Sequence, residues 1–427
     1  MRLIAAPSNL MWRVAAGLAA SMLAGGLAAC SGQAAQPGHV EIQVSSPAAL
    51  ADQAIEVSVT GLAAGQRITI TSQAVDDAHR VWRAQATYTA GQDGVVNLTS
   101  AVAAAGTYPG ADSMGLFWSM TTLAGESGNE YFTPGQPQSQ PSFPIRLTVT
   151  SDGRVLASRT VTRYWMAPGE TARVLTVKED GVAGVLFLPR PGTPRHPAVL
   201  VFGGAEGGMS QTFTAALLAA HGYPALTVAY FDWPGLPNQL QRIPLEYFVT
   251  AGRILASQSG VDPAHLLAMG YSRGSEAALL LADHFPRLFH GAIVYSPSSD
   301  VNPAENAGLA WISGVPAWTL GGRGVWPAPI PVNNVSGPVL AIAGDSDALW
   351  NSGPSADQIS SELDVDRSPY RHLALVYLNA GHAVGTFPYE PIGSQALQAL
   401  GGTRAADVAA QRASWTAVLG QLALLSG

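Results

Sequence analysis

The chain has 427 residues, 47% of them hydrophobic and 12% charged, and a net charge of -7. Such apolar content is the reverse of the disordered signature and supplies a large buried core, enough for two or three domains. The acidic balance gives no basic footprint for nucleic acid, and the only lysine, Lys178, lies in no phosphate-gripping glycine loop. One cysteine, Cys30, excludes a disulfide framework, a zinc ribbon and an iron–sulfur cluster.

Arg2 and Arg13 precede an uncharged run from Val14 to Ala29 rich in small residues. A basic start, a short apolar stretch and a small-residue end predict a secretory signal, too short for a membrane span. Its end, Leu27-Ala28-Ala29-Cys30, looks like a bacterial lipobox. The expectation is therefore a signal peptide over residues 1–29 and a lipidated Cys30. A small, polar tether would follow to residue 38, with acyl chains holding an exported lipoprotein on the extracytoplasmic side of a membrane.

From Val40 to about Tyr164 the pattern is strand-like. Val40–Val44, Glu56–Val59, Arg67–Ile70 and Ile145–Val149 alternate apolar and polar residues, and Gly, Asp and Ser punctuate them. Residues 39–168 thus read as an antiparallel β-sandwich of immunoglobulin-like size. After Met166-Ala167-Pro168 the grammar changes. Apolar runs at Ala198–Phe202, Ala225–Tyr230, Leu266–Tyr271, Ala292–Tyr295, Val339–Ala343 and Leu373–Leu378 alternate with helical segments. The helical segments are Gln211–His221, Leu245–Ser257, Ser275–His284 and Arg404–Leu425, so residues 169–427 read as an α/β domain with a mainly parallel sheet. The stretch Pro297–Pro338, rich in Pro, Gly and Trp, has weak periodicity and suits a lid or pocket wall; Trp311, Trp318 and Trp326 are candidates to line an acyl pocket.

Gly270-Tyr271-Ser272-Arg273-Gly274 follows one strand and opens a helix. Flanking glycines allow the sharp turn that projects a serine hydroxyl, and this strand–turn–helix context gives a weak five-residue pattern its meaning. A serine needs a base, and the base an orienting acid. His382, after the strand Leu373–Leu378, is the candidate base; Asp347 and its rival Asp345 follow Val339–Ala343, spacing favouring Asp347. The chain order Ser, Asp, His is that of α/β-hydrolases. The glycines of Val201-Phe202-Gly203-Gly204-Ala205-Glu206-Gly207-Gly208 suit an oxyanion hole made of backbone N–H groups near Ala205 and at Arg273. Glu276, early in the helix, is a candidate to favour the helix N-terminus or orient the elbow.

Phe202–Gly208, Ala229-Tyr230-Phe231, Pro244–Phe248, Gly270–Glu276, Gly344–Trp350 and Gly381-His382, taken together, resemble the acyl-CoA thioesterase and bile acid-CoA:amino acid N-acyltransferase family. Upstream, Met114–Met120 and Tyr164–Pro168 continue the likeness, which spans nearly everything after residue 38. The resemblance implies a β-sandwich packed on an α/β-hydrolase domain and a triad carried over to Ser272, Asp347 and His382. It implies no metal or organic cofactor; no protein partner is expected. Amino-acid-conjugating members use cysteine as nucleophile; serine here favours hydrolysis of an acyl thioester or ester. Three alternatives remain: an extracytoplasmic carboxylesterase or lipase-like lipoprotein, an acyltransferase to an amine, and a surface binding lipoprotein whose hydrolase domain is inactive.

Overall fold

The computed structural model describes residues 38–122, 131–306, 310–385 and 387–426. The expected signal peptide and Cys30 lie outside the described residues.

Between Glu41 and Tyr164 the chain forms two sheets. Glu41–Val44, Val57–Thr60 and Val96–Asn97 pair antiparallel in the smaller. The larger runs Ala48–Leu50, Arg154–Tyr164, Ser142–Ser151, Arg67–Val75, Val81–Thr89, Ala105–Gly106 from edge to edge. Arg67–Val75 and Val81–Thr89 bury every second side chain, as a sheet with one face on a core requires. The pairing is antiparallel throughout, except that Ala48–Leu50 runs parallel to Arg154–Tyr164. Residues from both sheets, such as Ile42, Val57, Ile70 and Trp82, share one apolar cluster.

The second part is built on eight strands: β1 (Thr171–Leu175), β2 (Ala183–Leu188), β3 (His196–Phe202), β4 (Ala225–Ala229), β5 (Val261–Tyr271), β6 (Gly291–Tyr295), β7 (Val339–Gly344) and β8 (His372–Tyr377). Their order in the sheet is β1-β2-β4-β3-β5-β6-β7-β8. β2 is antiparallel to both neighbours; every pairing from β4 to β8 is parallel. Helices α1 (Thr212–Ala220), α2 (Leu245–Ala256), α3 (Arg273–His284), α4 (Ser352–Val365) and α5 (Arg404–Leu425) accompany it. This is an α/β-hydrolase fold.

Burial on both faces explains why β3 to β7 read as uninterrupted apolar runs. Val199, Val201, Leu267, Met269, Leu340 and Ile342 pack with α1, α5 and the first part of the chain. Their alternate neighbours, Leu200, Phe202, Leu266, Ala268, Val339 and Ala341, pack with α2, α3 and α4. The first part therefore docks on the α1/α5 side. Trp165 marks the seam, its ring 5.1 Å from Phe143 on one side and 4.5 and 5.2 Å from Phe213 and Phe387 on the other.

Several elements of the second part lie beyond the sequence reading. β1 and β2 sit in a stretch whose composition marks only a change of grammar. The helix α4 begins Ser352-Gly353-Pro354, residues that signal a loop, yet Pro is tolerated in a first turn where no intrahelical partner awaits its missing N–H. Within 297–338, Pro303–Glu305 pairs with Trp311–Pro316, and Trp318–Leu320 lies between Ile243–Pro244 and Arg323–Val325.

Candidate active site

Parallel β3, β5, β7 and β8 end on the same edge of the sheet, and the loops that leave them there converge. Ser272 joins β5 to α3 with φ 54° and ψ -123°, a conformation costly for a residue bearing a Cβ and characteristic of a nucleophile held on a sharp turn. The flanking glycines are needed because strand and helix meet too closely for side chains. A Cβ on Gly270 would fall 2.1 Å from the carbonyl oxygen of Gly274, and one on Gly274 would fall 2.2 Å from that of Gly203. The Ser272 N–H donates to the Tyr295 carbonyl at 2.9 Å, locking the elbow onto β6.

His382 opens a single 3₁₀ turn after β8 and is 2% exposed. Its Nδ1 lies 2.7 Å from Oδ2 of Asp347, which follows β7. The same carboxylate accepts the Ser352 hydroxyl at 2.7 Å and the Leu349 N–H at 2.9 Å. Burial pushes the Asp347 carboxyl up, but the hydrogen bonds from His382, Ser352 and Leu349 and the charge of the imidazole outweigh it and hold the group below its ordinary value. Asp345 is exposed and turns elsewhere, accepting the Asn379 N–H at 2.6 Å. The imidazole thus meets Asp347 and not Asp345.

Tyr271, immediately before the serine, spans the gap to this loop. Its ring lies 5.1 Å from the imidazole and its hydroxyl donates to the His382 carbonyl at 3.0 Å. The Ser296 hydroxyl donates to the same carbonyl at 2.9 Å. From α5, Asp407 accepts the Gly381 N–H at 2.6 Å and Gln411 donates to the Ala383 carbonyl at 2.7 Å. Spaced four apart, the two side chains clamp the histidine turn from one helix face. Burial pushes the Asp407 carboxyl up to about 6.

The glycine loop after β3 lies directly against the elbow: a Cβ on Gly204 would be 2.6 Å from the Ser272 Cβ. Ala205 is half-buried in this loop, and Arg273 is the first residue of α3, where helical N–H groups have no intrahelical partner. The Arg273 side chain turns away from the loop, 2% exposed, and donates to the carbonyls of Asn302 and Pro303 at 3.2 and 2.8 Å. Glu276, fully buried below it, lies 3.3 Å from its Nε and accepts the Trp318 indole N–H at 2.9 Å and the Asn302 side-chain amide at 3.0 Å. Burial pushes Glu276 up against the opposing charge of Arg273. Of the three tryptophans, Trp318 therefore packs behind the elbow with Tyr230 and Phe248, while Trp311 and Trp326 are more than half exposed.

Tyr131 reaches this edge from the first part of the chain. It forms a bridge with Ile392, and burial, helped by its phenol, pushes that of Tyr271 up. No sequence signal ties Tyr131, Ser296, Asp407 or Gln411 to the site, since each acts through the backbone or through a partner far along the chain; Ser352 lies only five residues from Asp347 but stands in a stretch that reads as a loop. Among the described residues no group of three or more His, Cys, Asp or Glu side chains converges to hold a metal ion.

The sequence model described as the acyl-CoA thioester hydrolase/BAAT N-terminal region matches residues 52–177, and that of the BAAT/acyl-CoA thioester hydrolase C terminal matches residues 325–422. Over 400 residues the chain is 28% identical to the peroxisomal succinyl-coenzyme A thioesterase of Mus musculus, covering 86% of this chain and 92% of that one. The chain belongs to the acyl-CoA thioester hydrolase/BAAT family. It is similar, too, to acyl-coenzyme A amino acid N-acyltransferase 1 of Mus musculus, 29% identical over 402 residues with 86% and 93% of the two chains covered. Mitochondrial acyl-coenzyme A thioesterase 2 of the same organism is 27% identical over 398 residues, with 85% and 84% covered. Among solved structures, a dienelactone hydrolase-like promiscuous phosphotriesterase from metagenomic libraries aligns with a TM-score of 0.40 at 19% identity, over 61% of this chain and 100% of that one.

Proposed function

We propose that this family member is a serine hydrolase that cleaves acyl thioesters or esters through an acyl-enzyme on Ser272. The observation that carries the reading is the 2.7 Å contact between His382 Nδ1 and Asp347, on the sheet edge where Ser272 stands in a strained turn. Asp347, held ionised, fixes Nδ1 as the protonated ring nitrogen and leaves Nε2 as the base. His382 takes the Ser272 proton as the oxygen attacks the acyl carbonyl. The backbone N–H groups of Ala205 and Arg273 receive the developing oxyanion, each worth about 3 kcal/mol in the transition state. The imidazolium then returns its proton to the departing thiolate or alkoxide. Water, deprotonated by His382, attacks the acyl-enzyme and releases the acid.

In this reading the domains run as residues 39–168, an immunoglobulin-like sandwich, and 169–427, the catalytic α/β-hydrolase domain. Signal cleavage after residue 29 and acylation of Cys30 would anchor the enzyme outside the cytoplasmic membrane, with residues 30–38 as tether. Acyl-CoA is scarce in that compartment, so a lipid-like ester or thioester is the substrate class that satisfies both the site and the address.

Hydrolysis of acyl-CoAs and simple acyl esters by the full chain, with Ser272→Ala alongside, tests the proposal. Turnover lost in the variant, together with labelling of Ser272 by a fluorophosphonate, supports it. A folded protein that neither turns over nor labels overturns it in favour of a binding role. Acylated glycine or taurine formed in place of free acid would make it a transferase.

A further inference from the structure

The chemistry above uses no charge in the glycine loop, yet Glu206 puts one there. A Cβ on Gly204 would lie 2.6 Å from the Ser272 Cβ and 3.0 Å from Oε2 of Glu206. Both distances are measured from one point, so the carboxylate oxygen is within about 5.6 Å of the carbon that carries the nucleophilic oxygen. Glu206 is exposed rather than packed away, and it accepts only neutral donors: the Gly204 N–H, 3.0 Å from each oxygen, and the Ser210 hydroxyl at 2.6 Å. No ion pair joins it among the described residues. The buried phenols around the site lie within reach of its charge: burial first pushes Tyr131, Tyr230 and Tyr271 up, and Glu206 adds to it, behind Glu390 at Tyr131 and behind Tyr131 at Tyr271.

Resting on the reading of Ser272 as nucleophile, we infer that Glu206 is a specificity-determining residue that discriminates against acyl groups bearing a second carboxylate near the scissile carbonyl. An acyl chain joined to Ser272 starts beside this carboxylate, and its first few carbons stay within reach of an unpaired charge at such a distance. A neutral chain feels little. A chain ending in a carboxylate four or five carbons from the carbonyl is repelled. The effect is electrostatic, so salt must weaken it.

The test uses the full chain and two thioesters of N-acetylcysteamine, pentanoyl and glutaryl, whose neutral leaving group leaves the acyl terminus as the only difference in charge. The readout is the ratio of their kcat/KM values, corrected for spontaneous hydrolysis. Any effect of the loop on the reaction itself acts on both thioesters and cancels. Wild type should prefer pentanoyl; Glu206→Gln, which keeps the shape and an acceptor for Gly204 N–H, should narrow the preference about fivefold. Raising salt from 10 mM to 0.5 M should narrow it in wild type and leave the variant flat. A ratio unchanged by the substitution, or a salt-independent ratio in wild type, overturns the inference; the second needs no variant to fold. Turnover of neither thioester, or turnover that survives Ser272→Ala, instead overturns the reading on which the inference rests.

Discussion

The two loops that carry Ser272 and His382 are supported in different ways. Behind the histidine turn each support is a side-chain hydrogen bond to or from its backbone, Asp407 to Gly381, Gln411 to Ala383, and Tyr271 and Ser296 to the His382 carbonyl, although Asp407 Oδ2 and Gln411 Oε1 are left without partners. Behind the serine elbow lies buried charge. Arg273, Glu276 and Glu305 crowd together, with Nε and Nη1 of Arg273 and Oε2 of Glu305 lacking hydrogen-bond partners. A turn held by single hydrogen bonds to its backbone gains position at modest cost. Buried ions gain a rigid arrangement only while all partners stay, because a charge left alone is expensive. The elbow stores backbone strain and must be over-determined by its surroundings, which is where so costly a support is useful.

The largest effects fall on the reacting groups themselves. Ser272→Ala should cut kcat by about 10⁶, and Asp347→Asn by about 10⁴, since the amide leaves His382 in the wrong tautomer. Asp345→Asn should stay within a few-fold of wild type, because its carboxylate serves Asn379 and not the imidazole. Steady-state rates on one ester compare the three variants directly, and equal losses at Asp345 and Asp347 would sink the assignment.

Glu276→Ala should rank next and act on stability first. It strands the Arg273 guanidinium and two donors from the 297–338 stretch, Trp318 and Asn302, so unfolding should become easier by about 3–5 kcal/mol. Asp407→Ala removes one acceptor from one buried N–H and should cost about 1–3 kcal/mol. Urea denaturation measures both. A larger loss at Asp407 than at Glu276 would reverse the contrast between the loops.

That contrast also marks what the sequence can disclose. The elbow, the glycine loop and the acid and histidine that follow apolar runs are local patterns, so glycine spacing beside those runs marks Ser272, Asp347 and His382 as candidates. The supports are long-range. Asp407 lies 26 residues from the N–H it caps, and Trp318 lies 42 residues from Glu276. Periodicity shows such residues only as polar positions on a helix or an aromatic in a loop. The missing strands fail for a related reason: β1 alternates weakly, with only Leu175 buried, and β2 is too short to separate from a helical segment by apolar content.

Two carboxylates near the histidine turn sharpen the comparison through pH. Asp347, hydrogen-bonded, lies below its ordinary value, so its contribution to stability is present at neutral pH and is lost only on strong acidification. Glu390, eight residues past His382 and 7% exposed, is pushed by burial up to about 8. Its sign is opposite. The folded protein keeps this proton at pH 6 to 7 while the unfolded chain has released it. Its contribution is thus complete below about pH 4.5, the unfolded value, shrinks as pH rises, and is gone above about pH 8. Glu390→Gln keeps the shape and removes the titration. The melting temperature of the variant relative to wild type should therefore rise steadily from pH 5 to pH 8 and level off beyond it. A difference constant across that range would mean that the buried carboxyl has found compensation for its charge, and that the two ends of the histidine loop are supported alike.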